Sequence, residues 1–140
     1  MKTLKIDIGK CGYGRNCSHE CEAECAARMF KSDDPAHAAL CILPPGEGEV
    51  RAMLCDQCGD CAVVCPADAL SRNKLGVVLL SKKLCVHCYT CVGFCEKYAF
   101  RRYPGRLEPY KCIACGICVK ACPRGALAVV EVPTPEPRII

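Results

Sequence analysis

The sequence predicts an α+β chain built from small tandem modules, each a loop, a short helix and strands, rather than one domain around an aliphatic core. Three observations carry this. A cysteine run recurs, starting at Cys55, Cys85 and Cys112. Its period of roughly 30 residues is typical of stacked structural units. Short alternating segments broken by Gly, Pro and Asn follow the runs, the pattern of β-hairpins. Finally, 17 of the 140 residues are Cys and none is Trp, so the 51% hydrophobic content overstates the ordinary apolar core.

The last run defines the others. Residues 112–123 read C-I-A-C-G-I-C-V-K-A-C-P. This is the C-x2-C-x2-C-x3-C-P spacing that holds [4Fe–4S] clusters in bacterial ferredoxins. Three thiolates on a tight loop (Cys112, Cys115, Cys118) can wrap three irons of one cubane. Cys122, on the turn that follows, points away toward another cluster. Cys55, Cys58, Cys61 and Cys65 followed by Pro66 make a second copy. Cys85, Cys88, Cys91 and Cys95 make a third, with Glu96 in place of the proline. Zinc sites use separated CxxC knuckles with two thiolates each, so a zinc-binding structural protein is the least favoured reading.

Ahead of these lies a degenerate first block of Cys11, Cys17, Cys21 and Cys25. Its last interval is standard and its first two are too long. Residues 2–8 alternate as a strand leading into it. Gly12 and Gly14 suit a loop that turns around a cluster. Residues 18–31 favour a helix, which would put Cys17, Cys21 and Cys25 on one face. Glu20, Glu22 and Glu24 read as its solvated side. The spacing fits a radical-SAM site poorly.

Cys41 stands alone in a predicted strand over 38–43 and is given no ligand role, as a buried inert thiol. Pro44, Pro45, Gly46 and Gly48 turn the chain, and 50–54 returns. After the second block, 69–72 and 77–80 flank an Asn73–Gly76 turn. After the third, 98–103 and 107–110 flank Pro104-Gly105 as another hairpin. Residues 126–132 form the last strand, and the Pro-rich tail 133–140 is extended. Tyr89 and Phe94 lie beside the third block's cysteines, where aromatics exclude water or simply pack, and His87 reads as solvated.

The formal net charge of +4 treats every thiol as neutral. A [4Fe–4S] core with four thiolates carries about −2, so four of them bring the loaded chain to about −4. The basic residues therefore do not signal nucleic acid. Lys82, Lys83, Arg101, Arg102, Arg106, Lys111, Lys120 and Arg124 are expected to offset cluster charge or dock a partner. Residues 1–8 contain no apolar export region and no twin arginine, and no segment is long enough to span a membrane. A cytoplasmic, reducing and anaerobic setting is expected. No nucleophile–base pair, phosphate loop or acid–base carboxylate pair is visible, so the chain is read as non-catalytic.

The second to fourth blocks resemble those of polyferredoxins, the electron-transfer subunits of redox enzymes. The irregular first block makes the chain similar to four-cluster subunits paired with molybdenum or tungsten pterin enzymes, above all the small subunit of tungsten aldehyde oxidoreductases. That resemblance implies bacterial-ferredoxin-like modules, with short helices and β-hairpins around four [4Fe–4S] clusters. It implies a relay between a large catalytic subunit and a ferredoxin or flavoprotein acceptor. A free soluble polyferredoxin, or a subunit of a formate dehydrogenase, hydrogenase or carbon monoxide dehydrogenase, is the alternative. The expected organisation is one domain over 1–132, with an outer module (1–54 with 104–132) around an inner one (55–103). Each block of a pair lends its fourth cysteine to the other. On this pairing Cys65 joins Cys85, Cys88 and Cys91, and Cys95 joins Cys55, Cys58 and Cys61. Cys25 joins Cys112, Cys115 and Cys118, and Cys122 joins Cys11, Cys17 and Cys21. The rival nesting pairs the first block with the second and the third with the fourth.

Overall fold

Short elements organise this chain, and long-range pairings hold them. The computed structural model describes residues 1–7, 9–11, 17–46 and 49–136. In order these form β1 (Lys2–Ile6), α1 (Glu20–Phe30), a 3₁₀ turn (Pro35–His37), β2 (Cys41–Gly46), β3 (Glu49–Met53), α2 (Asp60–Val64), β4 (Leu70–Arg72), β5 (Val78–Leu80), α3 (Thr90–Phe94), α4 (Ile117–Ala121) and β6 (Leu127–Glu131).

The strands make three antiparallel pairs, β1 with β6, β2 with β3 and β4 with β5. The first joins the two ends of the fold, from Lys2 opposite Glu131 to Ile6 opposite Leu127. It buries Thr3, Leu4 and Leu127. On the helical side α1 packs on α4, and α2 packs on α3. Helices of five residues have no independent stability, so packing holds α2, α3 and α4 in place.

The larger core gathers Leu4, Cys21, Cys25, Ala26, Leu40, Cys112, Cys118 and Leu127, and Cys55 and Ala99 also reach into it. A smaller one comprises Leu70, Val78, Cys91 and Phe100. Of these fourteen buried side chains seven are aliphatic, six are thiols and one, Phe100, is aromatic. Aromatic contacts close the outside of the larger core. The Phe30 ring stacks on Tyr103 with centroids 4.0 Å apart, and the Tyr110 hydroxyl donates to the His37 carbonyl at 2.9 Å.

Several sequence expectations change here. The helix starts at Glu20, after His19 in the left-handed region (φ 56°), so Cys17 precedes α1 and only Cys21 and Cys25 ride on it. Glu22 is not solvated: its Oε1 accepts from the Ile42 N–H at 3.2 Å and pairs with His19 Nδ1 at 3.3 Å, tying α1 to β2. The strand expected over 38–43 begins only at Cys41, because residues 38–40, which follow the 3₁₀ turn, form bends and irregular backbone. Pro44, Pro45 and Gly46 belong to β2, where the register shifts between Leu43 and Gly46. Proline inside a strand is tolerated at such an irregularity. Gly12, Gly14 and Gly48 lie outside the described residues.

The hairpin expected over 98–110 reduces to one bridge, in which Arg101 and Tyr110 exchange two backbone bonds of 2.8 Å. Pro109 lies within the would-be ladder and has no N–H to donate. By contrast, Asn73 closes the β4–β5 turn as expected, with its Oδ1 accepting from the N–H groups of Leu75 and Val77. No helix among the described residues is long and apolar enough to cross a membrane.

Candidate iron–sulfur sites

Each of the second to fourth blocks folds the same way, and the backbone dihedrals show it. The residue before the second cysteine is left-handed in all three: Gln57 (φ 61°), His87 (φ 61°) and Ala114 (φ 53°). So is the residue after it: Gly59 (φ 88°), Tyr89 (φ 60°) and Gly116 (φ 83°), each of which caps a helix. The third cysteine then enters the helix, and the fourth caps its far end. Two left-handed residues around one cysteine curl the loop so that its three thiols face inward. Four of these six residues are not glycine, so the loops hold conformations that side chains disfavour. Gly59 is needed for a further reason: a Cβ there would strike the Arg72 guanidinium. That guanidinium donates to the carbonyls of Gln57 (2.8 Å), Cys58 (3.0 Å) and Gly76 (2.7 Å), stapling the second loop to the β4–β5 hairpin.

In the first block the helix does not stop. Cys25 lies inside α1, whereas Cys65, Cys95 and Cys122 end their helices. The over-long interval before Cys21 is the extra residue between Cys17 and the His19 cap.

Four cavities receive the sixteen cysteines of the blocks. Cys11, Cys17 and Cys21 line the first together with Cys122. Cys55, Cys58 and Cys61 line the second with Cys95. Cys85, Cys88 and Cys91 line the third with Cys65. Cys112, Cys115 and Cys118 line the fourth with Cys25. Three thiols come from one block and one from the block whose helix packs against it. Cys41 lines none of these four.

The donor set fits a cubane. Backbone N–H groups point at sulfur throughout: Gln57 to Cys55 at 3.3 Å, Ala114 to Cys112 at 3.4 Å, His19 to Cys17 at 3.4 Å, Ala69 to Cys65 at 3.3 Å and Ala39 to Cys25 at 3.2 Å. Donors aimed at sulfur favour its anionic form and tune cluster potential. Among the described residues, no three Cys, His, Asp or Glu side chains stand together around a single ion. A structural zinc would draw its thiolates to about 2.3 Å from one point.

Burial works against the free thiolates. It pushes Cys21, Cys61 and Cys112 up to about 12, and Cys91 and Cys118 up to about 11. Neighbouring thiols add to this, and the rise at Cys112 includes a contribution from Cys55 of the second cavity. Cys88 is exposed, and hydrogen bonds from Thr90 move its thiol down instead. Iron must therefore supply the positive charge that holds these sulfurs ionised.

The other expected residues divide. His87 is exposed, and Phe94 lines the second cavity while staying 47% exposed. The Tyr89 hydroxyl donates to the Leu107 carbonyl, and Arg102 stands 4.9 Å from its ring centroid. Lys111 is buried and lines the second cavity, which rules out a docking role for it. Arg101 is half-buried, and its Nε and Nη2 have no partner among the described residues. Gln57 was missed in the sequence, as was the contact between it and Lys111.

The comparisons agree with the geometry. The model of a 4Fe-4S dicluster domain matches residues 54–100, and that of a 4Fe-4S binding domain matches residues 107–128. The electron transport protein HydN of Escherichia coli is 30% identical over 154 aligned positions, covering 89% of this chain and 85% of HydN. The chain belongs to the ferredoxin-like [4Fe–4S] electron-transport proteins. It is also 32% identical over 135 residues to the beta subunit of NADH-dependent phenylglyoxylate dehydrogenase of Aromatoleum evansii. An uncharacterized ferredoxin of Methanocaldococcus jannaschii is 34% identical over 88 residues. The chain spans 29% of the length of the first and 51% of the second. It is thus an iron–sulfur electron-transfer protein, with [4Fe–4S] clusters as its redox groups.

Proposed function

We propose that the chain carries four [4Fe–4S] clusters in line and relays electrons between a large catalytic oxidoreductase subunit and a ferredoxin or flavoprotein. The observation that carries this reading is the gathering of four cysteines around each of four cavities, with the fourth cysteine crossing between blocks. On it, the sixteen cysteines are the ligands in the sets given above. The inner module is 55–103, and the outer is 1–54 with 104–132. The contribution of Cys55 to the rise at Cys112 supports adjacency of the second and fourth cavities. The α1–α4 and α2–α3 contacts support adjacency of the other neighbours. The clusters then follow one another in the order third block, second, fourth, first.

Each cluster passes one electron at a time. The chain's own residues fix spacing, exclude water and set local charge. Cys88 is exposed in a stretch that also exposes Leu84 (53%) and Val86 (62%), beside Lys82 and Lys83, which supports an electron exit there. The first-choice partner is a tungsten or molybdenum pterin enzyme oxidising aldehydes in a reducing cytoplasm. The name of the Aromatoleum relative, a dehydrogenase subunit, supports service to a catalytic partner in general. Anaerobic purification from the native source tests this. A large subunit should co-purify, and the isolated chain should reduce and reoxidise without turning over an organic substrate. Turnover by the purified chain alone would sink the reading.

A further inference from the structure

The ammonium of Lys111 is buried, and its two hydrogen-bond acceptors are both neutral. Its side chain is 4% exposed. Nζ donates to Gln57 Oε1 at 2.9 Å and to the Cys112 carbonyl at 3.2 Å, both neutral acceptors. The carboxylates of Asp56, Asp60 and Glu96 line the same cavity as Lys111. An ammonium has three N–H donors, so these two neutral acceptors leave the third donor and the charge to act on the cavity. Burying an unpaired charge costs several kcal/mol unless an opposite charge answers it.

The position of Lys111 says where that charge is. Lys111 lines the cavity of Cys55, Cys58, Cys61 and Cys95 and immediately precedes Cys112 of the next cavity. Gln57 holds it there. Gln57 is fully buried: its Nε2 donates to the Cys112 carbonyl at 2.9 Å, and its Oε1 also accepts from the Val78 N–H at 3.0 Å. A loaded [4Fe–4S] site has a net charge of about −2, one more negative after reduction. A fixed cation beside it stabilises the reduced form more than the oxidised one.

We propose that Lys111, positioned by Gln57, raises the potential of the cluster held by Cys55, Cys58, Cys61 and Cys95, so that an electron is held more firmly where the inner and outer modules meet. This rests on the four-cluster reading above.

The test is an anaerobic redox titration of the full chain followed by electron paramagnetic resonance, with iron counted on each sample. In Lys111→Met, iron should be unchanged, and one couple should shift to lower potential by at least tenfold in its reduction equilibrium, 59 mV for one electron. The couple that shifts should be the one missing from Cys95→Ala. Lys111→Arg, which keeps the charge, should stay within threefold of the parent. If Lys111→Met fails to load iron, Gln57→Glu decides, because it puts a carboxylate on the ammonium and should lower the same couple by a similar factor. A fully loaded Lys111→Met or Gln57→Glu with unchanged couples overturns the proposal and leaves the four-cluster reading intact. A parent chain with fewer than four reducible clusters overturns that reading instead.

Discussion

Replacing Gln57 by alanine should loosen the whole relay, and the size of the effect can be worked from its three hydrogen bonds. The side chain is fully buried between the second cluster loop, β5 and the start of the fourth block. Gln57→Ala strands the Val78 N–H and takes one of two acceptors from the Lys111 ammonium. The Cys112 carbonyl keeps Lys111 as a donor. Two buried groups left short at about 1–3 kcal/mol each give about 2–6 kcal/mol. At about 1.4 kcal/mol per tenfold, local opening becomes about 30-fold to 10⁴-fold more frequent. Unfolding releases iron and is irreversible, so a rate is the proper measure. The assay is decay of the visible sulfur-to-iron absorbance in fixed guanidinium under anaerobic conditions. Decay within threefold of the parent rate would refute the idea that this residue clamps the two halves together.

Two further outcomes follow from the same geometry. Cys25→Ala should cost the cluster of Cys112, Cys115 and Cys118 while the first block keeps its own, and Cys41→Ser, as control, should leave iron content unchanged; Mössbauer or iron analysis of both variants would show a different loss if the rival nesting held. Chelator-driven cluster loss should speed up as pH falls, because thiols raised to about 12 (Cys21, Cys61, Cys112) favour the protonated form at every lower pH, so protons compete with iron more strongly as pH drops; stopped-flow decay at several pH values checks the sign.

Much of the site could be read in the sequence, because cubane ligation demands a fixed thiol spacing that local pattern displays. Cys112, Cys115, Cys118 and Cys122 needed only their intervals. Hidden from that pattern was how the loops close. Gln57, His87 and Ala114 adopt left-handed backbone without being glycine, so composition gave no hint of it. The pair formed by Gln57 and Lys111 joins residues 54 positions apart, and no periodicity records such a contact. The hairpin expected over 98–110 shows the opposite error. The Pro104-Gly105 turn signals a hairpin, but Pro109 cannot supply the N–H that its ladder needs. The first block was the hardest, because its helix begins after Cys17 and continues past Cys25, and helix propensity over 18–31 does not fix either boundary.

The pairing of β1 with β6 bears on how the molecule is made. β1 is synthesised long before β6, yet among the described residues each is the other's only strand partner. The same holds for α1, which waits for α4. While the chain emerges from the ribosome, α2 and α3 can meet early, whereas the first strand and helix still lack their partners. On the proposed pairing, the inner pair can take up iron before α4 and β6 are made, and the outer pair only after them. Until then Cys11, Cys17, Cys21 and Cys25 lack Cys122 and the helix that carries the fourth block's Cys118.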